Sequence, residues 1–222
     1  MKKQPSINDL LKVMAKLRSP TGCPWDREQS HLTLRHHAIE EVYELIDSIE
    51  AGDDHEMAEE LGDLLLQVVF HCQLARERGA FDFEKVTRAL VEKLIRRHPH
   101  VFGQTKVKNV DEVWANWEKI KKAEKDGTHL ERKSAFDGIP KHLPALLRAE
   151  KLLKKAHKVF ADGHHADTKK SKPTFTKATL AKKLFALTAF AQSRGWCAEE
   201  LLAAEIKKQE RQLRQREKSS QP

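Results

Sequence analysis

Apolar residues recur along this chain at the three- and four-residue spacing of amphipathic helices, and no stretch shows convincing strand alternation. Ile7, Leu10, Leu11, Met14 and Leu17 mark a first helix, opened by Ser6 with Asp9 three residues on, the pattern of a capping box. Two prolines and a glycine in Ser19–Asp26 predict a loop, with Trp25 as its expected anchor. A second helix is predicted over about 31–51, its apolar face made by Ala38, Ile39, Val42, Leu45, Ile46 and Ile49. Gly52 ends it, and Asp53 is placed to cap a long third helix to Arg78, packing through Met57, Leu61, Leu64, Leu65, Val68 and Cys72. Asp82 caps a fourth, which His98-Pro99 stops near Arg97; the two histidines flanking Pro99 read as helix termination rather than metal ligands. Further helices are expected over about 110–125, 145–160, 178–193 and 198–217, with a linker or disordered loop over 162–178. The fold class is therefore all-α.

Charge changes this picture at one place. Residues 36 to 75 contain no lysine or arginine but eleven carboxylates, in a chain whose net charge is +8. A solvated helix face mixes signs, because Glu–Lys pairs one turn apart stabilise it and like charges at that spacing destabilise it. These acids have no cation in their own segment, and a divalent metal is the strongest candidate to compensate them.

Helical geometry sharpens the point. With about 100° between successive residues, Glu41 and Glu44 lie on one side of the second helix, flanked by Glu40 and His37 and away from the Val42, Leu45 and Ile49 stripe. Glu60 and Asp63 share a face of the third. Folded as an antiparallel hairpin about Gly52–Asp54, the helices bring the four carboxylates to one level, since Glu44 lies eight residues before Gly52 and Glu60 eight after it. An isolated acidic pair on a helix is ordinarily an exposed face; two such pairs, symmetric about a turn and free of cations, are poorly explained that way.

Composition sets the outer bounds. A 222-residue chain with 39% hydrophobic and 33% charged residues is long enough for one good core or for a domain with a smaller appendage. Its longest apolar run, Leu64 to Phe70, is broken by Gln67 and too short to span a bilayer. The first residues have no apolar leader region, and Cys23, Cys72 and Cys197 are odd in number and lack a CxxC pair, so a reducing cytoplasm is expected. Residues 1–127 carry net charge −3 and residues 128–222 net +11, so two parts with different roles are expected.

Glu40-Glu41-Val-Tyr-Glu44, a fifteen-residue gap and Glu60-Leu-Gly-Asp63 resemble the EExxE…ExxD signature of MazG-type nucleoside triphosphate pyrophosphohydrolases. Gly22-Cys-Pro-Trp-Asp26, Glu60–Leu65, Arg96-Arg-His-Pro-His-Val-Phe102 and Trp117-Glu-Lys-Ile-Lys121 resemble the same family, in its order, over about residues 5–160. The resemblance implies an all-α homodimer whose paired helices form a four-helix bundle. It also implies Mg²⁺-dependent hydrolysis of NTP or dNTP to monophosphate and pyrophosphate, with Mn²⁺ a possible substitute. By position, Glu41, Glu44, Glu60 and Asp63 become metal ligands, and Glu40 or Glu41 the group that orients or deprotonates the attacking water. Lys93, Arg96 and Arg97 would meet the triphosphate, and Trp117 and Lys121 match the family's Trp-and-Lys pair near the nucleotide. Periodicity alone allows Trp117 to be plain core, since it continues the stripe of Val110, Val113, Trp114 and Ile120.

The family commonly carries a tandem second copy of the domain, and here the chain departs from it. Residues 145–160 and 178–217 resemble flanking parts of that copy, but its EExxE helix is missing and Thr179-Leu-Ala-Lys182 stands where ExxD would fall. The expectation is a catalytic domain at 1–127 and a basic linker with a degenerate helical region at 128–222. Two alternatives stay open: an enzyme restricted to a few non-standard dNTPs, and a nucleic-acid-binding protein using the basic C-terminal part. The second lacks interleaved aromatics, so nucleic acid is not the expected partner.

Overall fold

A computed structural model describes residues 4–128, 131–160 and 175–219. Among them it contains ten helices and no strand: α1 (Ile7–Leu17), α2 (Pro24–Glu28), α3 (Arg35–Ala51), α4 (Asp54–Glu77), α5 (Phe83–Arg97), α6 (Pro99–Phe102), α7 (Val110–Ala123), α8 (Ala145–Phe160), α9 (Lys177–Ser193) and α10 (Ala198–Ser219). Most of the segment expected to be a linker, 162–178, lies outside the described residues. The chain divides into two compact units, Met1–Ile120 and Lys121–Pro222, a boundary earlier than the composition change after residue 127.

The first unit is organised by the α3–α4 hairpin. Gly52 adopts φ 69°, a left-handed conformation that glycine reaches without Cβ strain. The next residue, Asp53, then caps α4, its carboxylate accepting from the His55 and Glu56 backbone N–H groups at 2.9 and 3.1 Å. Asp82 starts α5 in the same way, accepting from the Lys85 N–H at 2.8 Å, and His98 is the C-cap. The core gathers Met14 of α1, Leu34, and Val69, Phe70 and Leu74 of α4, with Leu10, Leu11, Leu66 and Phe83 packed on it. Arg18 clamps this end of the unit. It binds Glu77 through two bonds of 2.8 and 2.7 Å and donates to the backbone carbonyl of Asp26.

Two expectations are corrected here. The Ser19–Asp26 loop continues into α2 and is anchored by Arg18 and by buried Asp26, whereas Trp25 is 53% exposed with its ring edge-on to His37. The apolar stripes expected to pack α3 and α4 are largely outward. Ile39, Val42, Ile46 and Ile49 on α3, and Leu61, Leu65 and Val68 on α4, are all exposed. Within the chain, α3 instead turns Glu41, Leu45 and Ser48 inward, while α4 turns in Glu60, Asp63, Leu64 and Gln67. A hydrophobic period identifies a stripe but not what covers it.

In the second unit α8 and α10 run side by side in the same direction, since Ala145 lies against Glu199 and Phe160 against Arg216. Phe136, Ala145, Leu152, Ala156 and Ile206 form its core. The strongly polar α10 contributes packing through its charges. Arg148 and Glu210 pair at 2.7 Å with side chains 7% and 17% exposed, and Arg214 bridges Glu210 and Asp137. Buried Glu217 accepts from the Ser134 hydroxyl at 2.6 Å and the Ala135 N–H at 2.9 Å, fastening the segment before α8 to the end of α10. Removing this acceptor takes away two part-buried hydrogen bonds to a carboxylate, bonds to charged groups being worth about 1.5–3 kcal/mol each. Glu217→Ala should therefore lower the urea midpoint of the second unit's unfolding, while the exposed neighbour Lys218→Ala should leave it unchanged.

Candidate metal and phosphate site

The hairpin turn sets the register that joins the acids. Glu41 on α3 and Glu60 and Asp63 on α4 each offer an oxygen, and these three lie within 4.8 Å of one another. No other group of three or more metal-competent side chains occurs among the described residues. All three are half-buried. Glu44 is exposed at the edge of the group, close enough to raise the proton affinity of both Glu60 and Glu41. Glu40 turns outward and meets His37 at 3.2 Å.

The electrostatics are one-sided. Burial is the first cause holding Glu41 above the ordinary carboxylate range, followed by the charge of Asp63, and one hydrogen bond from Gln67 opposes them. Glu60 is likewise raised, first by desolvation and then by Glu44, Asp63 and Glu41. No cation is among these causes. Three hard oxygen donors converging without a counter-charge are the donor set that a hard divalent cation takes.

Gln67 supplies an independent observation at the same place. It is 7% exposed, one turn beyond Asp63. Its Nε2 donates to Glu41 Oε1 at 3.3 Å, while its own Oε1 is buried and unpartnered. One turn further, His71 meets His31 through their Nδ1 atoms at 2.8 Å with the rings stacked. Burial and the neighbouring ring push the His71 pKa down. Sequence reasoning assigned neither Gln67 nor the histidines a role; the break Gln67 makes in the Leu64–Phe70 run was the available signal.

Of the residues expected at the phosphate and nucleotide, Arg97 and Trp117 meet. Lys93, Arg96 and Arg97 share the last turns of α5, and Trp117 and Lys121 lie one turn apart on α7. The Arg97 guanidinium stacks over the Trp117 ring at 5.1 Å, and Trp114 meets Trp117 edge-on at 5.8 Å. Arg96 instead lines a cavity of about 410 Å³ with Pro99, Thr105, Asn116, Lys119 and Ile120. In the second unit Thr179 takes part in the N-terminal cap of α9, accepting from the Thr176 N–H at 2.9 Å, and the first turn of that helix holds no acidic residue.

Residues 29–102, which contain all of these carboxylates, match the model of the MazG nucleotide pyrophosphohydrolase domain. A nucleoside triphosphate pyrophosphohydrolase of Escherichia coli K12 is 46% identical over 157 residues, covering 70% of this chain and 59% of that protein. The nucleoside triphosphate pyrophosphohydrolase/pyrophosphatase MazG of Thermotoga maritima is 49% identical over 156 residues, 70% of this chain and 58% of that one. An uncharacterized Bacillus subtilis protein, YabN, is 49% identical over 142 residues, 64% of this chain but 28% of its own length. The chain thus spans less than two thirds of the length of the curated relatives it matches. By the family model and these identities, this chain carries a MazG nucleotide pyrophosphohydrolase domain.

Proposed function

We propose that the chain hydrolyses nucleoside triphosphates, NTP or dNTP, between the α- and β-phosphates to give monophosphate and pyrophosphate, with Mg²⁺ held by Glu41, Glu44, Glu60 and Asp63. The observation that carries this reading is the set of three carboxylate oxygens within 4.8 Å, with no cation among the causes that shift them. Bound Mg²⁺, or Mn²⁺ in its place, would neutralise phosphate charge and polarise water. The chain's own groups do the rest. Glu40 or Glu41 orients the water and accepts its proton on a carboxylate oxygen as the water oxygen bonds to the α-phosphorus and the bond to the pyrophosphate oxygen breaks. Lys93, Arg96 and Arg97 hold the triphosphate, guanidinium groups being suited to bidentate phosphate contacts. Trp117 and Lys121 contact the nucleotide.

The working form in this reading is a homodimer. Its support is the exposed stripe of Ile39, Val42, Ile46 and Ile49 on α3 with Leu61, Leu65 and Val68 on α4, apolar side chains at helical spacing on two paired helices that a partner surface would cover. The C-terminal part is a remnant of a second copy, without a metal site of its own. Its basic charge is partly spent internally, Arg148 and Arg214 being paired with Glu210 and Asp137, which favours a structural role over nucleic-acid binding. No helix among the described residues is long and apolar enough to cross a membrane.

The test is the purified chain with Mg²⁺ and a panel of NTPs and dNTPs, products resolved as pyrophosphate or orthophosphate. Pyrophosphate with monophosphate in one step is expected; stepwise orthophosphate release with diphosphate accumulating would overturn the assignment.

Glu41→Gln or Glu60→Gln should cost more than about a hundredfold in turnover, beyond the 10–100-fold typical of outer-shell losses. Both carboxyls have raised folded-state pKa values, so each opposes folding at neutral pH and ceases to do so as pH falls through that raised value. In EDTA at neutral pH the two variants should therefore melt no lower than wild type, the difference shrinking on acidification. Full activity of Glu60→Gln, or of wild type in EDTA, contradicts the metal site.

Ile46→Glu puts a charge in the centre of the outward stripe. Light scattering should show wild type as a dimer and the variant as a monomer; a variant that remains dimeric excludes this face.

A further inference from the structure

Resting on the metal site just proposed, we infer that Gln67 is a positioning residue for it: its buried side-chain amide holds the Glu41 carboxylate in the orientation that places one of its oxygens with those of Glu60 and Asp63. Three observations lead there. Gln67 is the polar break in an otherwise apolar run, Leu64 to Phe70, in the interior of α4. It is 7% exposed, and a buried amide is retained against its desolvation cost only where a hydrogen bond uses it. The one bond it makes across the hairpin is from Nε2 to Glu41 Oε1, at 3.3 Å, and its carbonyl oxygen goes unpartnered. A side chain serving the fold alone would satisfy both ends or be replaced by an apolar one.

The direction of that bond matters. Glu41 and Asp63 repel one another, and a carboxylate free to rotate would swing out of the seam toward water. A donor on Oε1 opposes this and fixes the carboxylate plane. An ionised carboxylate has about four lone-pair positions, so acceptor capacity remains for a cation on the side of Glu60 and Asp63. Outer-shell groups of this kind set ligand orientation and, when removed, weaken metal binding by roughly 10–100-fold.

The experiment is direct Mn²⁺ binding, read by the paramagnetic resonance of free Mn²⁺ on the full chain without nucleotide. It compares wild type with Gln67→Met, which keeps length and volume but has no donor, and with Gln67→Asn, which keeps the amide but falls a methylene short. Val69→Ala is the control, since it loosens the same helix at a fully buried position that bonds to no carboxylate. Both Gln67 variants should bind Mn²⁺ about 10–100-fold more weakly, with Gln67→Met melting no lower than Gln67→Asn in EDTA because the unpartnered oxygen is gone. Val69→Ala should lower the melting temperature and leave Mn²⁺ affinity within about threefold of wild type. Mn²⁺ affinity unchanged in a folded Gln67 variant, or reduced equally in Val69→Ala, would overturn the inference. Absence of Mn²⁺ binding in wild type would instead overturn the proposed metal site itself, so the two failures are distinguishable.

Discussion

The constraint on which the first unit turns is like-charge repulsion inside its own hairpin. Two helices joined by a tight turn ordinarily bury their most apolar faces against each other. Here α3 and α4 put Glu41, Glu60 and Asp63 into the shared seam and send Ile39, Val42, Ile46 and Leu61 outward. Burying carboxylates beside one another raises their proton affinity, as it does for Glu41 and Glu60. The fold tolerates this because the far end of the hairpin is held independently by the Met14, Val69, Phe70 and Leu74 core and by the Arg18–Glu77 clamp.

Much of this was legible in the sequence because its signals are local. Asp53 and Asp82 cap the helices they were expected to cap, and Gly52 takes the left-handed turn, since caps depend on a few adjacent residues. The convergence of acids across the turn was likewise legible, because an antiparallel hairpin equates residues equidistant from its turn. Glu44 is the partial exception. It lies as many residues before Gly52 as Glu60 lies after it, but at the exposed edge, as the roughly 60° of helical phase between it and Glu41 is enough to carry it out of the seam.

What was not legible depends on partners remote in sequence. The outer stripe of α3 and α4 was read as the packing face because it is the more apolar one, and periodicity carries no label for which surface covers it. Trp25 was expected to anchor its loop on the ground that large aromatics bury, but the buried residue is its neighbour Asp26, held with a guanidinium eight positions away. The burial of Glu217 and Arg148 was equally hidden. A charged helix reads as solvated until the opposing charges, brought in from residues 134 to 148, are in view.

The two units also show how a carboxylate's surroundings distinguish a structural role from a chemical one. Asp137 is held below the ordinary range, chiefly by its hydrogen bond from Arg214, and Glu77 chiefly by Arg18. Each stabilises the fold in its ionised form. Glu41 and Glu60 are shifted the other way, by burial and by neighbouring carboxylates, so their ionised forms are tolerated rather than used by the fold. Charge left uncompensated at a cost to stability implies that something outside the chain completes it. In the second unit no comparable group of acids occurs among the described residues, and its interior carboxylates are met by arginine or by hydrogen-bond donors.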